Sequence, residues 1–224
     1  MASPLICQDR TENGTVLAKK FYSMATLYCF RYGIDIHCIR EGNMSDTYRR
    51  RLYDVALDQY GYVTTVDAKR LGVPPGELRK IAQRGGVTRV SQGLYRFDDV
   101  PRTERDAAMA AVLAVGDDAF LTGDAVLAMH GLGYVHPREI RVGTRRRVRR
   151  RTLPRGVTVV SVRIDENDLT AFEGIPSTTI ERAIRDSADV VMPDRLAEAV
   201  KQAAERGLIP RERAGRLLSE LAAP

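Results

Sequence analysis

Val63–Phe97 reads VTTVDAKRLGVPPGELRKIAQRGGVTRVSQGLYRF, a helix-turn-helix followed by a short β-hairpin. Thr64 or Thr65 can cap a short helix whose Val66, Ala68 and Leu71 supply a small apolar face. Gly72 ends that helix where a left-handed backbone is needed. Val73 and the Pro74-Pro75 pair form the turn, and Pro75 can open a second helix through Arg84, because a proline in a first turn forfeits no hydrogen bond. Leu78, Ile81 and Ala82 then face inward, and Arg79, Lys80, Gln83 and Arg84 face out. Gly85-Gly86 stops the helix. Val87–Val90 and Leu94–Phe97 are β-rich runs around Ser91-Gln92-Gly93, so the hairpin makes the unit a winged helix-turn-helix. Its basic outward face favours DNA as a partner over a plain packing role.

The elements on either side extend this unit. Leu52, Val55, Ala56 and Tyr60 recur at helical spacing from Asp46 onward, with Ser45 or Asp46 as an N-cap. Arg49, Arg50 and Arg51 are expected near that helix's N-terminus, where cations oppose the helix dipole, so phosphate contact or solvation is the expected use. Residues 1–43 differ in composition and are expected to be an upstream extension, with Met44 as a natural start. Asp98–Pro101 reads as a hinge. The expected division is therefore 1–43, a winged helix-turn-helix over 44–98, and a second domain over 102–224.

That second domain reads as mostly helical α+β with a small antiparallel β element, which makes the whole chain α+β. An Ala-rich helix begins at Glu104, another runs from about Thr122 to His130, and Ile180–Ala188, Asp194–Arg206 and Pro210–Leu221 are amphipathic. Ser177 or Thr178 can cap the Ile180 helix. Glu139–Val142 and Val157–Ile164 are β-rich runs able to pair as a hairpin. Between them seven arginines fall in eleven positions, 145–155. Arg145, Arg146, Arg147, Arg149, Arg150 and Arg151 form a possible second basic patch, open to nucleic acid, to solvent or to an acidic protein.

Composition narrows the classes. The chain has 224 residues, 44% hydrophobic, with net charge +6 and a pI near 9.4. The positive charge sits mid-chain: residues 102–155 carry eleven basic against six acidic side chains, and 156–224 nine against twelve. No apolar run approaches the roughly 20 residues that span a bilayer, so no membrane association is expected. Cys7, Cys29 and Cys38 have no metal or disulfide spacing, and a cytoplasmic location is the default. Asp194, Glu198 and Lys201 share one predicted helix rather than a nuclease strand, and His130 and His136 lack catalytic partners. Neither an enzyme, a metal site nor a cofactor is expected.

The order of parts resembles the AbiEi-like antitoxins of type IV toxin–antitoxin systems. The resemblance rests on the winged unit ending in Val87–Arg96, the Ala-rich helix, Leu121-Thr122-Gly123-Asp124-Ala125-Val126-Leu127-Ala128-Met129-His130-Gly131-Leu132, and Gly174-Ile175-Pro176-Ser177-Thr178-Thr179, and spans about residues 46–210. It implies a DNA-binding winged helix that represses its own operon, joined to an antitoxin domain that counteracts a co-encoded nucleotidyltransferase toxin. Related modules also occur fused to a nuclease domain, and a chain stopping at Pro224 is expected to be the stand-alone antitoxin.

The family supplies no tight signature for reading bases, so candidate DNA contacts come from the helix pattern. Arg79, Lys80 and Gln83 lie nearest the bases, Arg49, Arg50, Arg51, Arg84 and Arg89 on phosphates, Gln92 at the wing tip, and Lys69 also among the DNA contacts. The partners expected are double-stranded DNA at the chain's own promoter and the cognate toxin. A ligand-responsive regulator and a protein-interaction subunit remain alternatives.

Overall fold

The structure, a computed structural model, describes residues 44–145 and 153–222. The first element is helix α1, Met44–Asp58. It starts ahead of the expected Ser45 or Asp46 cap, so Arg49–Arg51 sit beyond the first turn and the dipole argument against them weakens. Strand β1, Tyr62–Thr64, was not foreseen: three wholly buried residues are too few to show a period. Helices α2, Thr65–Arg70, and α3, Glu77–Arg84, follow, then strands β2, Val87–Ser91, and β3, Leu94–Phe97. β3 is the middle of a three-stranded antiparallel sheet of order β1-β3-β2. Leu52 and Ala56 of α1, Leu78 and Ile81 of α3, and Val63, Val73, Val87 and Phe97 form its core. Tyr53 meets Phe97 edge-on, ring centroids 5.2 Å apart.

Residues 102–145 and 153–222 are α+β, with more sheet than the sequence alone indicates. The elements are α4 (Asp106–Val115), β4 (Ala119–Leu121), α5 (Asp124–Met129), β5 (Ile140–Thr144), β6 (Val157–Ser161), a 3-10 turn (Glu166–Asp168), β7 (Leu169–Phe172) and β8 (Ile175–Thr178). Helices α6 (Ile180–Asp186), α7 (Pro193–Glu205) and α8 (Arg211–Ala222) close the chain. In place of a small antiparallel element stands a five-stranded mixed sheet, order β6-β5-β4-β8-β7. β5 and β6 pair in parallel, not as a hairpin. Gly143 lies under the Phe120 ring, where a Cβ would collide with the ring carbons, so glycine is required unless the buried ring shifts. The expected caps Ser177 and Thr178 are buried in β8, and Thr179 caps α6 instead, its hydroxyl accepting from Arg182 N–H.

The two halves share apolar surface. The described residues form one compact unit, and Tyr62 and Leu94 pack into the larger core with Met109, Leu121 and Ile175. Arg96 of β3 runs into this junction. One guanidinium nitrogen donates to Val100 O at 2.8 Å and to Asp106 Oδ2 at 3.2 Å, and the other terminal nitrogen donates to Phe97 O at 3.1 Å. Asp106 Oδ1 accepts from both Thr103 N–H and Thr103 Oγ1, each at 2.9 Å. Both partners are about nine-tenths buried or more, so removing one strands the other's charge. Nearby, Tyr60 donates to Glu173 O at 2.8 Å, and Arg105 pairs with the Glu173 carboxylate at 2.8 Å.

Two stability measurements follow from these contacts. Arg96→Met is expected to cost about 3–5 kcal/mol in urea denaturation, and adding Asp106→Leu to recover most of it. His130 stacks on Phe172 at 4.0 Å between centroids, and burial, then the Arg105 charge, holds its imidazole below the ordinary value. The unfolded chain therefore takes up this proton first. The stabilisation from neutral His130 is complete above a pH of about 6.5 and is lost as pH falls through the lower folded value. The thermal midpoint of wild type should drop more between pH 7 and pH 5 than that of His130→Gln, and equal drops would exclude His130 as the source.

Candidate nucleic-acid interface

The helix-turn-helix is built from reciprocal hydrogen bonds at its start. Thr64 Oγ1 accepts from Asp67 N–H at 3.1 Å, and Asp67 Oδ2 accepts from Thr64 N–H at 2.9 Å and from the Thr64 hydroxyl at 2.7 Å. This capping box starts α2 and satisfies donors that a helix end otherwise leaves bare. At the other end Gly72 has φ +69°, and Val73 N–H reaches back to Ala68 O at 2.9 Å, dropping the Val73 side chain into the core. The proline pair stays in the turn rather than opening α3. Gly76, at φ +85°, is the N-cap, and Lys80 N–H donates to its carbonyl.

Leu78 and Ile81 bury one face of α3, and Arg79, Lys80, Gln83 and Arg84 are exposed on the other. Eight residues give a helix about 12 Å long, comparable with the width of a major groove. Glu77 lies low on this face, 3.5 Å from Lys80 Nζ and 3.7 Å from Arg84 Nη1. It tethers those two cations near the helix, whereas Arg79 and Gln83 have no side-chain bond among the described residues.

The hairpin has a two-residue turn, Gln92-Gly93, with Ser91 opposite Leu94 and an irregularity between Arg89 and Ser91. That extra residue, Val90, points to solvent. Arg89 Nε donates to Ser91 O at 3.3 Å, and Gln92 is exposed beside it. Gly93 O accepts from Thr65 N–H at 2.9 Å, which pins the hairpin tip to the start of α2.

The remaining candidates fall in different places. Lys69, Arg50 and Arg51 are exposed. Arg49 is drawn inward: it donates to Gly85 O at 3.3 Å and its guanidinium lies 5.3 Å from the Phe97 ring centre, so it locks α1 to the end of α3. Arg145 pairs with Glu166 at 2.6 Å. Arg146, Arg147, Arg149, Arg150 and Arg151 lie outside the described residues. Val66, expected to face inward, is 40% exposed, and Val90 is 42% exposed.

Among the described residues no helix is long and apolar enough to cross a membrane. No curated protein matches the chain. The crystal structure of the RV2827C protein from Mycobacterium tuberculosis is similar at 18% identity and a TM-score of 0.41, covering 80% of this chain and 72% of that one. The family described as "Transcriptional regulator, AbiEi antitoxin" matches residues 50–97. The chain is therefore similar to AbiEi antitoxin regulators over the segment that runs from α1 through the helix-turn-helix to the end of the hairpin.

Proposed function

We propose that this protein is an antitoxin and transcriptional repressor that binds double-stranded DNA at its own promoter through a winged helix-turn-helix, residues 44–98. Residues 102–224 would counteract a co-encoded nucleotidyltransferase toxin of a type IV system, in the cytoplasm and without enzymatic activity. The observation that carries the reading is the coincidence of the AbiEi match with a unit whose α3 turns a basic, exposed face outward. The toxin and the autorepression rest on the family resemblance.

In this reading α3 enters the major groove, with Arg79, Lys80 and Gln83 toward base edges. Arg50, Arg51, Lys69, Arg84 and Arg89 hold phosphates, and Gln92 reaches the adjoining groove. Arg49 acts indirectly, by fixing α1 against the end of α3. Lys80 and Arg84 exchange their Glu77 contacts for DNA. Val66 and Val90 supply apolar contact suited to thymine methyl groups.

The test is mobility shift on the native upstream region at fixed salt. Lys80→Ala is expected to weaken specific binding about tenfold, within the 1–3 kcal/mol of a base contact. Unchanged affinity would remove α3 from the groove. The double variant Arg50→Ala/Arg51→Ala is expected to weaken specific and non-specific duplexes alike and to flatten the log–log salt slope by up to about two. A slope equal to wild type assigns the pair to solvent.

A further inference from the structure

β6 is the outer strand of the mixed sheet, paired on one side only, with β5. Ile140 N–H donates to Gly156 O at 2.7 Å and Val162 N–H to Thr144 O at 3.1 Å, bracketing the ladder. Bonding residues alternate along a parallel strand. Between these two bonds, Thr158 and Val160 turn their backbone groups toward β5, and Val157, Val159 and Ser161 turn theirs away. Among the described residues no strand pairs with that outer row.

Sheet edges are ordinarily blunted by charge, proline, a bulge or a covering segment. Val157–Ser161 contains no charged residue and no proline, and its register with β5 runs without a shift. Val157 to Val160 are all half-buried. The edge is thus a regular, uncharged row about 17 Å long, as five extended residues span.

Charge selects what fits beside it. Arg155 and Arg163 flank the strand, are exposed, and form no ion pair among the described residues. The sequence from Glu139 to Ile164 carries nine arginines against one carboxylate, that of Glu139, which accepts from the Thr158 hydroxyl of β6. A second copy pairing antiparallel along this edge would set the flanking arginines Arg155 and Arg163 of the two chains against each other, and like charges across a strand pair repel. Phosphate fits the flanking arginines but not the edge itself, since each outward N–H alternates with an outward carbonyl that repels an anion. An extended polypeptide offers the matching alternation of donors and acceptors, and acidic side chains on it would meet Arg155 and Arg163.

We propose that β6 is a docking edge for an extended acidic segment of a partner protein, which adds to the mixed sheet as a sixth strand. The interaction uses neither α3 nor the hairpin, so it stands or falls separately from DNA binding by residues 44–98.

The probe is a fluorescein-labelled, terminally blocked peptide, (Val-Glu)4, followed by anisotropy against the full chain, with (Gly-Glu)4 as the control. (Val-Glu)4 is expected to bind at least tenfold more tightly than (Gly-Glu)4, and more weakly as salt rises. Val159→Pro removes only an N–H that faces away from β5, a position where an edge strand accepts proline. It is expected to lose at least tenfold in peptide affinity while mobility shift on the upstream DNA is unchanged. Should that variant fail to fold by circular dichroism, Arg155→Glu/Arg163→Glu decides, with the same loss expected. Equal binding of the two peptides, or wild-type affinity in the variant that decides, overturns the proposal. So does complete displacement of the peptide by duplex DNA, which would give the surface to nucleic acid. A dimer in sedimentation that Val159→Pro dissociates would give it to a second copy.

Discussion

The buried Arg96–Asp106 pair is the constraint at the junction of the two halves: neither charge can lose its partner without leaving the other stranded out of water. Taking both charges out of water costs several kcal/mol each, and the opposing charge alone does not offset that. The structure surrounds them with further bonds: Arg96 donates to the carbonyls of Phe97 and Val100, and Asp106 accepts from the Thr103 backbone and hydroxyl. The Tyr62 ring lies 5.8 Å from the guanidinium. One atom, Arg96 Nε, is left without a partner. Because Arg96 sits on the strand that both β1 and β2 pair with, fixing it fixes the small sheet. α3 packs against β2, so the orientation of its basic face follows from a bond made on the opposite side of that sheet.

Local signals carried the first half of the fold. Thr64, Gly72, Gly85-Gly86 and the Gln92-Gly93 turn each act within a few residues, and the sequence names them because capping and left-handed glycine depend on nearest neighbours. Geometry decided at a distance leaves no such local mark. Pro75 is compatible with a helix start, yet Gly76 takes the cap, because the backbone has to turn left-handed there before α3 can bring Leu78 and Ile81 over Val63 and Phe97. β4, at Ala119–Leu121, is short and wholly buried, and β8 hides in a segment whose Ser and Thr residues resemble helix caps. Parallel pairing of β5 with β6 leaves no local trace at all, since the stretch between them favours neither hand of pairing.

The candidate interface was readable to the same depth. Arg79, Lys80, Gln83 and Arg84 follow from helical periodicity once Leu78 and Ile81 are placed inside. Arg49, Arg50 and Arg51 look equivalent in sequence and are not, because about 100° of rotation per residue sends Arg49 over Phe97 while Arg50 and Arg51 stay in solvent. Val66 was misplaced for the related reason that a six-residue helix has too few turns for an apolar stripe to declare its side.

Charge by itself does not separate the two surfaces. Arginines answer phosphate and carboxylate alike, so a basic run in a sequence is equally open to DNA and to protein. The backbone beneath the arginines makes the distinction. On α3 the peptide groups are consumed within the helix and only side chains meet a partner, which suits groove edges and phosphates. On β6 every second residue leaves an N–H and a carbonyl outward, an alternation of donor and acceptor that another extended chain can match. The same excess of positive charge therefore presents two chemistries, set by whether it is mounted on a closed helix or beside an open strand.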